Sequence, residues 1–540
     1  MTHLFNEKGE TMPETSLSRR TFVAAAVASA AAATAFNAVR TRDAQAKIIA
    51  ETSSAWDLED VGEPTESLAC DVAILGGGGT GLAAACQAKQ LGLKPIVFEK
   101  FAFTGGSFVG VEGSFGVETH WTKEAGETQT VAEAIASCMD YHHWVPNHDM
   151  YKAFFGKTGE TVEWLEDLGV EFDHVQKYGD HAAWHIFKRN LDMGPGVSFM
   201  DSMAKAAEKL EVQIEYECPG KKLVMDGDKV AGVLCVRADG TVVKVEAPVV
   251  LLATGGYANN LDFLYAVSET HNELLAPQGM SGRDADGIKM AKAVGADMAE
   301  GLGTVMWCGP VMVGSTWAQP DYIASTQPVL WVNEKCERFV NEDKWENDFA
   351  RVGIAQRNQT RTYSIFCKGD LDAWENEGVY GTCFSFVAAG TPMQGFTQAV
   401  EALDSVHKAD SIAELAEAVG LDADALQATV EQYNKYCADG VDPDFAKAPE
   451  KMHAIDTPPY YIAEIADGYY CTVGGVKVDA DCEVLDMDGA VIPGLYAGGC
   501  DAGGLYGDAY DVNKAPGSQS SWACNSGRIA MQAAAAYLGK

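Results

Sequence analysis

The densest set of chemically active side chains lies near the C-terminus, at residues 506–522, which read YGDAYDVNKAPGSQSSW. This stretch contains Tyr506, Tyr510 and Lys514, and Tyr470 stands in an earlier apolar segment. Phenols donate hydrogen bonds and transfer protons when their pKa is perturbed, and a lysine binds an anion as a point charge. Two interpretations stay open: a substrate-facing wall, or packing tyrosines beside a solvated lysine.

A segment near the start of the chain has the pattern of a dinucleotide-binding element, which would position these C-terminal side chains. Residues 70–100 read CDVAILGGGGTGLAAACQAKQLGLKPIVFEK. The pattern predicts a buried strand at 72–75, a glycine turn at 76–81, a helix with small residues facing the sheet, and a second strand at 95–98. A GxGxxG turn alone is a weak signal, but here the strand, helix, second strand and a following acid all have the expected spacing.

Each glycine of this GxGxxG turn has a physical role. Gly76 allows the tight turn, Gly78 lets a pyrophosphate approach the backbone, and Gly81 lets the helix pack closely on the strand. The phosphates are expected at the N-terminus of the helix. Glu99 ends the second strand and is expected to accept hydrogen bonds from the ribose hydroxyls.

Further glycine turns follow apolar strands, at 103–107 (FTGGS), 249–256 (VVLLATGG) and 492–504 (IPGLYAGGCDAGG). Between the first two, residues 212–250 read as short strands with DGD and ADG turns, which predicts a β-meander. These turns are expected to lie beside the cofactor. The candidate cofactor-binding residues are Gly76, Gly78, Gly79, Thr80, Gly81, Glu99, Lys100, Thr104, Gly105, Gly106, Ser107, Val224, Ala253, Thr254, Gly255, Asp501 and Ser518.

The strand–turn–helix unit at 70–100 and the three later glycine turns at 103–107, 249–256 and 492–504, in this order, resemble the fumarate reductase / succinate dehydrogenase flavoprotein family, with its relatives urocanate reductase and 3-ketosteroid dehydrogenase. Further segments that match are RDADGIKMAKAVGADM (283–298), ERFVNE (337–342), PPYYIAEI (458–465) and TVGGVKVD (472–479). The likeness runs over nearly all of the chain after the N-terminal segment. It implies FAD as the cofactor and a mobile cap that closes over the isoalloxazine.

The expected fold class is α/β, with a Rossmann-type FAD-binding domain that carries the β-meander and an inserted α+β cap. The resemblance places the FAD-binding domain at 66–302 and 459–540 and the cap at 303–458. Within the cap, residues 410–440 have apolar positions three to four apart and Asp/Ser caps, which predicts helices.

The family's dicarboxylate clamp is not reproduced. The histidine that the family carries at the entry to the cap is absent from TVMWCGPVM (304–312), and the family's double histidine is replaced by Tyr470 and Cys471. The cap arginine is missing at its expected place near 345–346, and Arg351, five residues further on, can replace it only if the loop is remodelled. Lys514 stands where the last clamp arginine is expected. A small dicarboxylate is therefore not the expected substrate.

The remaining residues suit the reduction of an α,β-unsaturated carbonyl compound. That reaction needs hydride at the β-carbon, a hydrogen-bond donor for the developing enolate and a proton at the α-carbon. The resemblance implies that flavin N5 supplies the hydride and that Tyr470 is placed like the enolate-binding tyrosines of ketosteroid dehydrogenases. The catalytic candidates are Lys514, Tyr470, Tyr510, Tyr506 and Arg351. The histidines of YHHWVPNHD (141–149) lack regular metal-ligand spacing, so no metal is predicted and a role at the surface or at the rim of the active site is preferred.

Composition and the N-terminus indicate where the protein works. The formal net charge of −37 argues against a nucleic-acid partner. Residues 18–22 (SRRTF), an Ala-rich apolar run and the AQA at 44–46 resemble a twin-arginine export signal spanning 1–46. We expect the exported protein in the periplasm or at the outer face of the cytoplasmic membrane, with membrane association only through a partner.

Fourteen cysteines occur without any CxxC pair, which excludes a CxxCH haem attachment and ferredoxin-type cluster motifs. Most are expected to be buried small hydrophobes. We therefore expect a separate cytochrome or quinol-linked electron donor. Two other hypotheses remain: a ketosteroid-type dehydrogenase that desaturates its substrate, and a non-catalytic flavin electron-transfer subunit.

Overall fold

The structure is a computed structural model that describes residues 54–190, 194–268, 275–315, 320–383 and 387–540. The predicted export signal lies outside these residues. In chain order the helices are α1 (Gly79–Gln90), α2 (His120–Glu124), α3 (Val131–Tyr141), α4 (His148–Phe155), α5 (Thr158–Asp167), α6 (Pro195–Lys209), α7 (Leu261–Val267), α8 (Asp286–Ala293), α9 (Pro320–Ser325), α10 (Trp345–Arg357), α11 (Lys368–Asn376), α12 (Phe396–Glu401), α13 (Ile412–Val419), α14 (Ala423–Asp439) and α15 (Ser518–Tyr537). The strands are β1 (Glu66–Ala69), β2 (Val72–Leu75), β3 (Pro95–Phe98), β4 (Gly113–Phe115), β5 (Phe172–Tyr178), β6 (His181–Phe187), β7 (Gln213–Glu215), β8 (Gly220–Asp226), β9 (Lys229–Val236), β10 (Val242–Glu246), β11 (Val249–Leu252), β12 (Leu275–Pro277), β13 (Val305–Met312), β14 (Leu330–Asn333), β15 (Thr362–Cys367), β16 (Val406–Ala409), β17 (Tyr460–Thr472), β18 (Val476–Lys477), β19 (Glu483–Leu485), β20 (Val491–Ala497) and β21 (Ala502–Gly503).

A six-stranded sheet with the order β19-β20-β11-β2-β3-β7 forms the centre of the flavin-binding half. Its pairs from β20 to β7 are parallel, and only β19 runs antiparallel to its neighbour. All residues of β2, β3 and β11 are buried, as in parallel sheets that helices cover on both faces. The expected α/β fold and the two fingerprint strands are confirmed.

The predicted β-meander is confirmed with one correction. Strands β8, β9 and β10 form an antiparallel sheet, and β1 adds to its edge in parallel to β10. The first strand of the predicted stretch, β7, belongs instead to the six-stranded sheet, where it pairs in parallel with β3. A local apolar pattern does not show which of two neighbouring sheets a short strand joins.

A second large sheet combines strands of the predicted cap with two strands of the predicted FAD-binding domain, β12 and β17: its order is β12-β17-β15-β14, and β13 and β16 also pair with β17. Strand β17 pairs with β15 along Tyr460–Ile465 and with β12 along Asp467–Tyr469. One continuous strand therefore serves both predicted domains, whose boundaries stay a prediction. Helices α13 and α14 confirm the helical pattern at 410–440.

The fourteen cysteines are all free thiols, and most of them are buried, as expected for small apolar residues. Among the described residues, no helix is both long and apolar enough to cross a membrane.

Candidate functional site

The turn after β2 has the geometry that its glycines predict. Gly76 has φ +111°, and a Cβ there would lie 2.2 Å from the carbonyl oxygen of Ala253 at the end of β11. A Cβ on Gly81 would lie 1.9 Å from the carbonyl oxygen of Gly76. Both distances are far below contact distance, so this turn requires glycine at both positions.

The N-terminus of α1 is left open for a phosphate. Gly78 is its N-cap residue, no side chain caps it, and its first turn contains no acidic residue. A Cβ on Gly78 would meet only the carbonyl oxygen of Gly105, at 3.8 Å. Backbone N–H groups at the positive end of a helix bind anions, and Gly79 and Thr80 begin this helix. The turn therefore fits the diphosphate of a dinucleotide.

Glu99 follows β3 and lies against the glycine turn. Its Oε2 accepts a hydrogen bond from the Gly77 N–H at 2.6 Å, and its Oε1 accepts one from the Phe101 N–H at 2.8 Å. Burial raises the pKa of Glu99. The Glu99 carboxylate thus connects the glycine turn after β2 with the segment after β3. Its contact with a ribose stays a prediction.

The turn with Thr104, Gly105 and Gly106 lies over the fingerprint, since the Gly105 N–H donates to the carbonyl oxygen of Gly77 at 3.1 Å. The Ser107 hydroxyl that follows accepts a hydrogen bond from Arg283 at 3.3 Å. Lys100 is paired with two carboxylates before and within α8, Asp284 at 2.6 Å and Asp286 at 2.9 Å, and its contact with the cofactor stays a prediction.

The turn after β11 is held by a buried acid. The Asp501 carboxylate accepts hydrogen bonds from the Thr254 hydroxyl at 2.9 Å and from the Gly256 N–H at 2.8 Å. Burial raises the pKa of Asp501 to about 6. Asp501 therefore orders the turn that carries Ala253, Thr254 and Gly255. The remaining predicted cofactor residue on the β-meander, Val224, is half-buried on β8 and lies opposite Gly232 of β9.

The C-terminal segment forms a buried polar cluster at the start of α15. The Tyr506 and Ser518 hydroxyls lie 2.9 Å apart, and the Ser518 hydroxyl donates to Asp511 Oδ1 at 2.8 Å. The rings of Tyr506 and Tyr510 are 5.6 Å apart. Burial and then the Asp511 charge raise the pKa of the Tyr506 phenol. No side chain caps the N-terminus of α15.

His142 belongs to this cluster, which corrects the surface alternative that the sequence offers for the histidines at 141–149. It is 1% exposed, its Nε2 lies 3.4 Å from Asp511 Oδ2, and its Nδ1 accepts from the Gly507 N–H at 3.3 Å. Its ring packs edge-on against Tyr506. The sequence signal for His142 is the histidine-rich stretch at 141–149, and nothing in that stretch indicates Asp511 as its partner.

The end of β17 reaches the same helix. Tyr470 accepts a hydrogen bond from Arg283 at its carbonyl oxygen, and burial raises the pKa of its phenol. The neighbouring Cys500 thiol, and then burial, raise the pKa of the thiol of the next residue, Cys471. Cys500 Sγ accepts from Gln519 Nε2 at 3.2 Å in the first turn of α15. These contacts connect β17, the 500–501 turn and the start of α15.

The two cations predicted to bind substrate both pair with acids. Lys514 Nζ lies 2.9 Å from Asp180 Oδ2, and the Asp180 side chain is 67% exposed. Arg351 Nε lies 2.8 Å from Asp348 Oδ2. The Arg351 guanidinium also stacks 4.6 Å from the Tyr141 ring centroid. Both lie near the junction between α10 and the C-terminal segment, and their contact with a substrate stays a prediction.

Comparison with known proteins agrees with this geometry. The family described as FAD binding domain matches residues 71–513. A vinyl phenol reductase of Lactiplantibacillus plantarum is 33% identical over 86% of this chain and 96% of its own length. A urocanate reductase of Eggerthella lenta is 27% identical over 80% of this chain and 70% of its own length. In fold, the chain resembles the open conformation of a flavocytochrome c3 fumarate reductase, with a TM-score of 0.67, 23% identity, and coverage of 92% of this chain and 81% of that one.

Proposed function

The chain belongs to the FAD binding domain family and is an FAD-dependent oxidoreductase; from that premise we propose that it reduces an activated carbon–carbon double bond. The expected acceptors are an enoate, an enone or a vinyl phenol, and not a small dicarboxylate. Support comes from two relatives, a vinyl phenol reductase and a urocanate reductase, whose names both describe reductases.

The observation that carries the choice of acceptor is the pairing of the two candidate cations. Lys514 and Arg351 each lie within 3 Å of a carboxylate oxygen, from Asp180 and Asp348 respectively. A clamp for two substrate carboxylates needs uncommitted cations, since an acid that already neutralises a guanidinium or ammonium weakens its attraction for another anion. Affinity is then expected from apolar contacts and single hydrogen bonds.

In this proposal the Tyr506 hydroxyl, beside the start of α15, supplies the proton. FAD, when bound, supplies the hydride. The Tyr506 hydroxyl holds the proton, and the Ser518 hydroxyl connects it to Asp511 Oδ1. The N–H groups in the uncapped first turn of α15 stabilise negative charge that develops nearby. His142 next to Asp511 Oδ2 orients that carboxylate from the opposite side.

The test is an anaerobic assay with dithionite-reduced methyl viologen and a panel of acceptors: 4-vinylphenol, a hydroxycinnamate, urocanate, an enone steroid and fumarate. The proposal expects turnover with one of the first four and little with fumarate. Fast turnover with fumarate alone would contradict it. A compound that bleaches the oxidised flavin instead of reoxidising the reduced flavin would identify a dehydrogenase, and no reaction with any compound would favour an electron-transfer subunit.

We further propose that the protein is exported through its twin-arginine segment and receives electrons from a cytochrome or quinol-linked donor. Support comes from the SRRTF sequence at 18–22 and from the lack of any CxxC pair that could hold a second redox centre. Replacing Arg19 and Arg20 together by lysine is expected to leave the protein in the cytoplasm on cell fractionation. Unchanged export of that variant, or fast reduction by NADH, would contradict this proposal.

A further inference from the structure

Arg283 is a buried cation with only neutral hydrogen-bond acceptors. It stands between β12 and α8 and is 3% exposed. Its Nε donates to Asn259 Oδ1 at 2.7 Å, its Nη1 donates to Ser107 Oγ at 3.3 Å and to the Tyr470 carbonyl oxygen, and its Nη2 donates to the Gln278 carbonyl oxygen at 3.2 Å. Every one of these acceptors is an amide, a hydroxyl or a carbonyl group.

Other buried arginines of the chain differ from Arg283 in this respect. Arg338 pairs with two carboxylates, each at 2.9 Å, and Arg528 pairs with one. Arg357 lies 3.6 Å from the carboxylate of Asp467. Arg283 takes part in none of the ion pairs found among the described residues. A guanidinium does not lose its proton in proteins, so a buried one without an anion is unfavourable.

The position of Arg283 indicates what kind of anion it faces. It contacts Ser107 at the end of the 103–107 turn and the Tyr470 backbone at the end of β17. A Cβ on Gly255, in the turn after β11, would lie 3.4 Å from Arg283 Cγ. Two of these segments were predicted to line the cofactor, and the third carries a predicted catalytic residue. The first two of these segments meet the guanidinium of Arg283, and the Gly255 turn lies beside the aliphatic part of the same side chain.

The two anionic parts of FAD are the diphosphate and the reduced isoalloxazine ring. The diphosphate already has a site at the uncapped N-terminus of α1 with Gly78. Arg283 instead contacts Ser107, at the end of the 103–107 turn, and the backbone of Tyr470. Tyr470 precedes Cys471, whose thiol neighbours Cys500, and Cys500 contacts Gln519 in the first turn of α15. The neighbours of Arg283 are therefore those of the reacting end of the cofactor.

We propose that Arg283 is the cation that offsets negative charge on the isoalloxazine ring of bound FAD and so makes the reduced flavin more stable than it would otherwise be. The partially unmatched charge of the guanidinium is compensated when the ring becomes anionic on reduction. The proposal concerns the cofactor and holds whichever acceptor the enzyme reduces, so it stands or falls separately from the function proposed above.

The test measures the flavin itself, without substrate. Arg283→Gln removes the charge and Arg283→Lys keeps it, and both are compared with wild type in the FAD-loaded protein. The midpoint potential is measured by equilibration with a reference dye, and the dissociation constant of the flavin–sulfite adduct is measured by titration, because that adduct also places negative charge on the ring. Arg338→Gln, which removes a paired cation from the cap, is the matched control.

The expected result for Arg283→Gln is at least a tenfold loss of preference for the reduced flavin, which is about 30 mV for a two-electron couple, and at least tenfold weaker sulfite binding. Arg283→Lys and Arg338→Gln are expected to stay close to wild type. An unchanged potential in Arg283→Gln would overturn the proposal. Equal weakening of oxidised and reduced FAD binding would assign Arg283 to the diphosphate, and a change confined to the KM of an acceptor would assign it to the substrate.

A measurement on the unmodified protein covers the case in which Arg283→Gln does not fold. Wild-type apoprotein is reconstituted with 8-mercapto-FAD, whose absorption spectrum distinguishes negative charge in the pyrimidine part of the ring from a thiolate on the benzene part. The quinoid spectrum is expected, since a cation near the pyrimidine part favours that charge distribution. The thiolate spectrum would overturn the proposal.

Discussion

Replacing Tyr506 by phenylalanine tests whether the cluster at the start of α15 supplies the proton. The side chain is 2% exposed, and the change deletes only the hydroxyl, which lies 2.9 Å from Ser518 Oγ. Ser518 keeps its hydrogen bond to Asp511 at 2.8 Å, so no buried carboxylate loses its donor. One neutral hydrogen bond contributes about 1 kcal/mol, so the variant is expected to fold and to retain FAD.

The effect on catalysis should be far larger than the effect on stability. A positioned general acid contributes about 10²–10⁴-fold to a rate, which is roughly 3–5 kcal/mol of the barrier. We therefore expect Tyr506→Phe to lower kcat with reduced viologen by at least 100-fold. Reduction of the flavin by dithionite, which does not need the acid, is expected to stay unchanged.

Tyr496→Phe is the matched control, because Tyr496 is also a buried tyrosine with one hydroxyl contact, to Glu483 at 3.2 Å, on β20. It should lower kcat by less than twofold. A kcat of Tyr506→Phe within twofold of wild type, at equal FAD content, would refute the assignment of Tyr506. A loss of kcat shared equally by both variants would show that it reflects stability and not proton supply.

The other predictions address the charged residues and the glycine turn. Asp180→Asn leaves Lys514 without its carboxylate partner, so it is expected to lower the KM for a carboxylate acceptor in a steady-state assay, whereas Lys514→Met is expected to change that KM by less than twofold. A tenfold rise of the KM in Lys514→Met would show that the paired lysine already binds the acceptor. Gly81→Ala is expected to abolish FAD retention on gel filtration, because its Cβ would lie 1.9 Å from a backbone oxygen, and an FAD-loaded variant would contradict the geometry. Burial raises the pKa of Asp467 from 3.8 to about 7, so the folded state binds this proton more tightly than the unfolded state and wild type loses stability as pH rises from about 4 to 7. Between pH 5 and 7 that loss is about 2 kcal/mol, and thermal unfolding of Asp467→Asn should show a smaller loss over the same range; equal pH dependence would show that Asp467 does not titrate there.

Much of the flavin-binding half was predictable because its signals are local. The turn at 76–81 requires glycines where φ is positive or where backbones touch, and such requirements act over a few residues. The buried strands β2, β3 and β11 are short apolar runs next to turn residues, which is the pattern that identifies parallel strands. The assignment of β7 was wrong because the choice between two sheets depends on long-range pairing.

The site residues divide in the same way. Tyr506, Tyr510 and Ser518 lie close together in sequence and also in space, so the segment 506–522 identified them as a group. His142 and Arg283 were missed, because their partners come from distant parts of the chain and the sequence carries no sign of which ones.

The amino-acid sequence by itself determined the strand–turn–helix unit that is typical of dinucleotide-binding proteins, since close backbone approach demands glycine at particular positions. Only the tertiary structure decided which charges are compensated. It paired Lys514 with Asp180, placed His142 against Asp511, and buried Arg283 among neutral acceptors. The physical reason is that the energy of a charge depends on burial and on partners within a few ångströms, and chain folding, not sequence spacing, sets both.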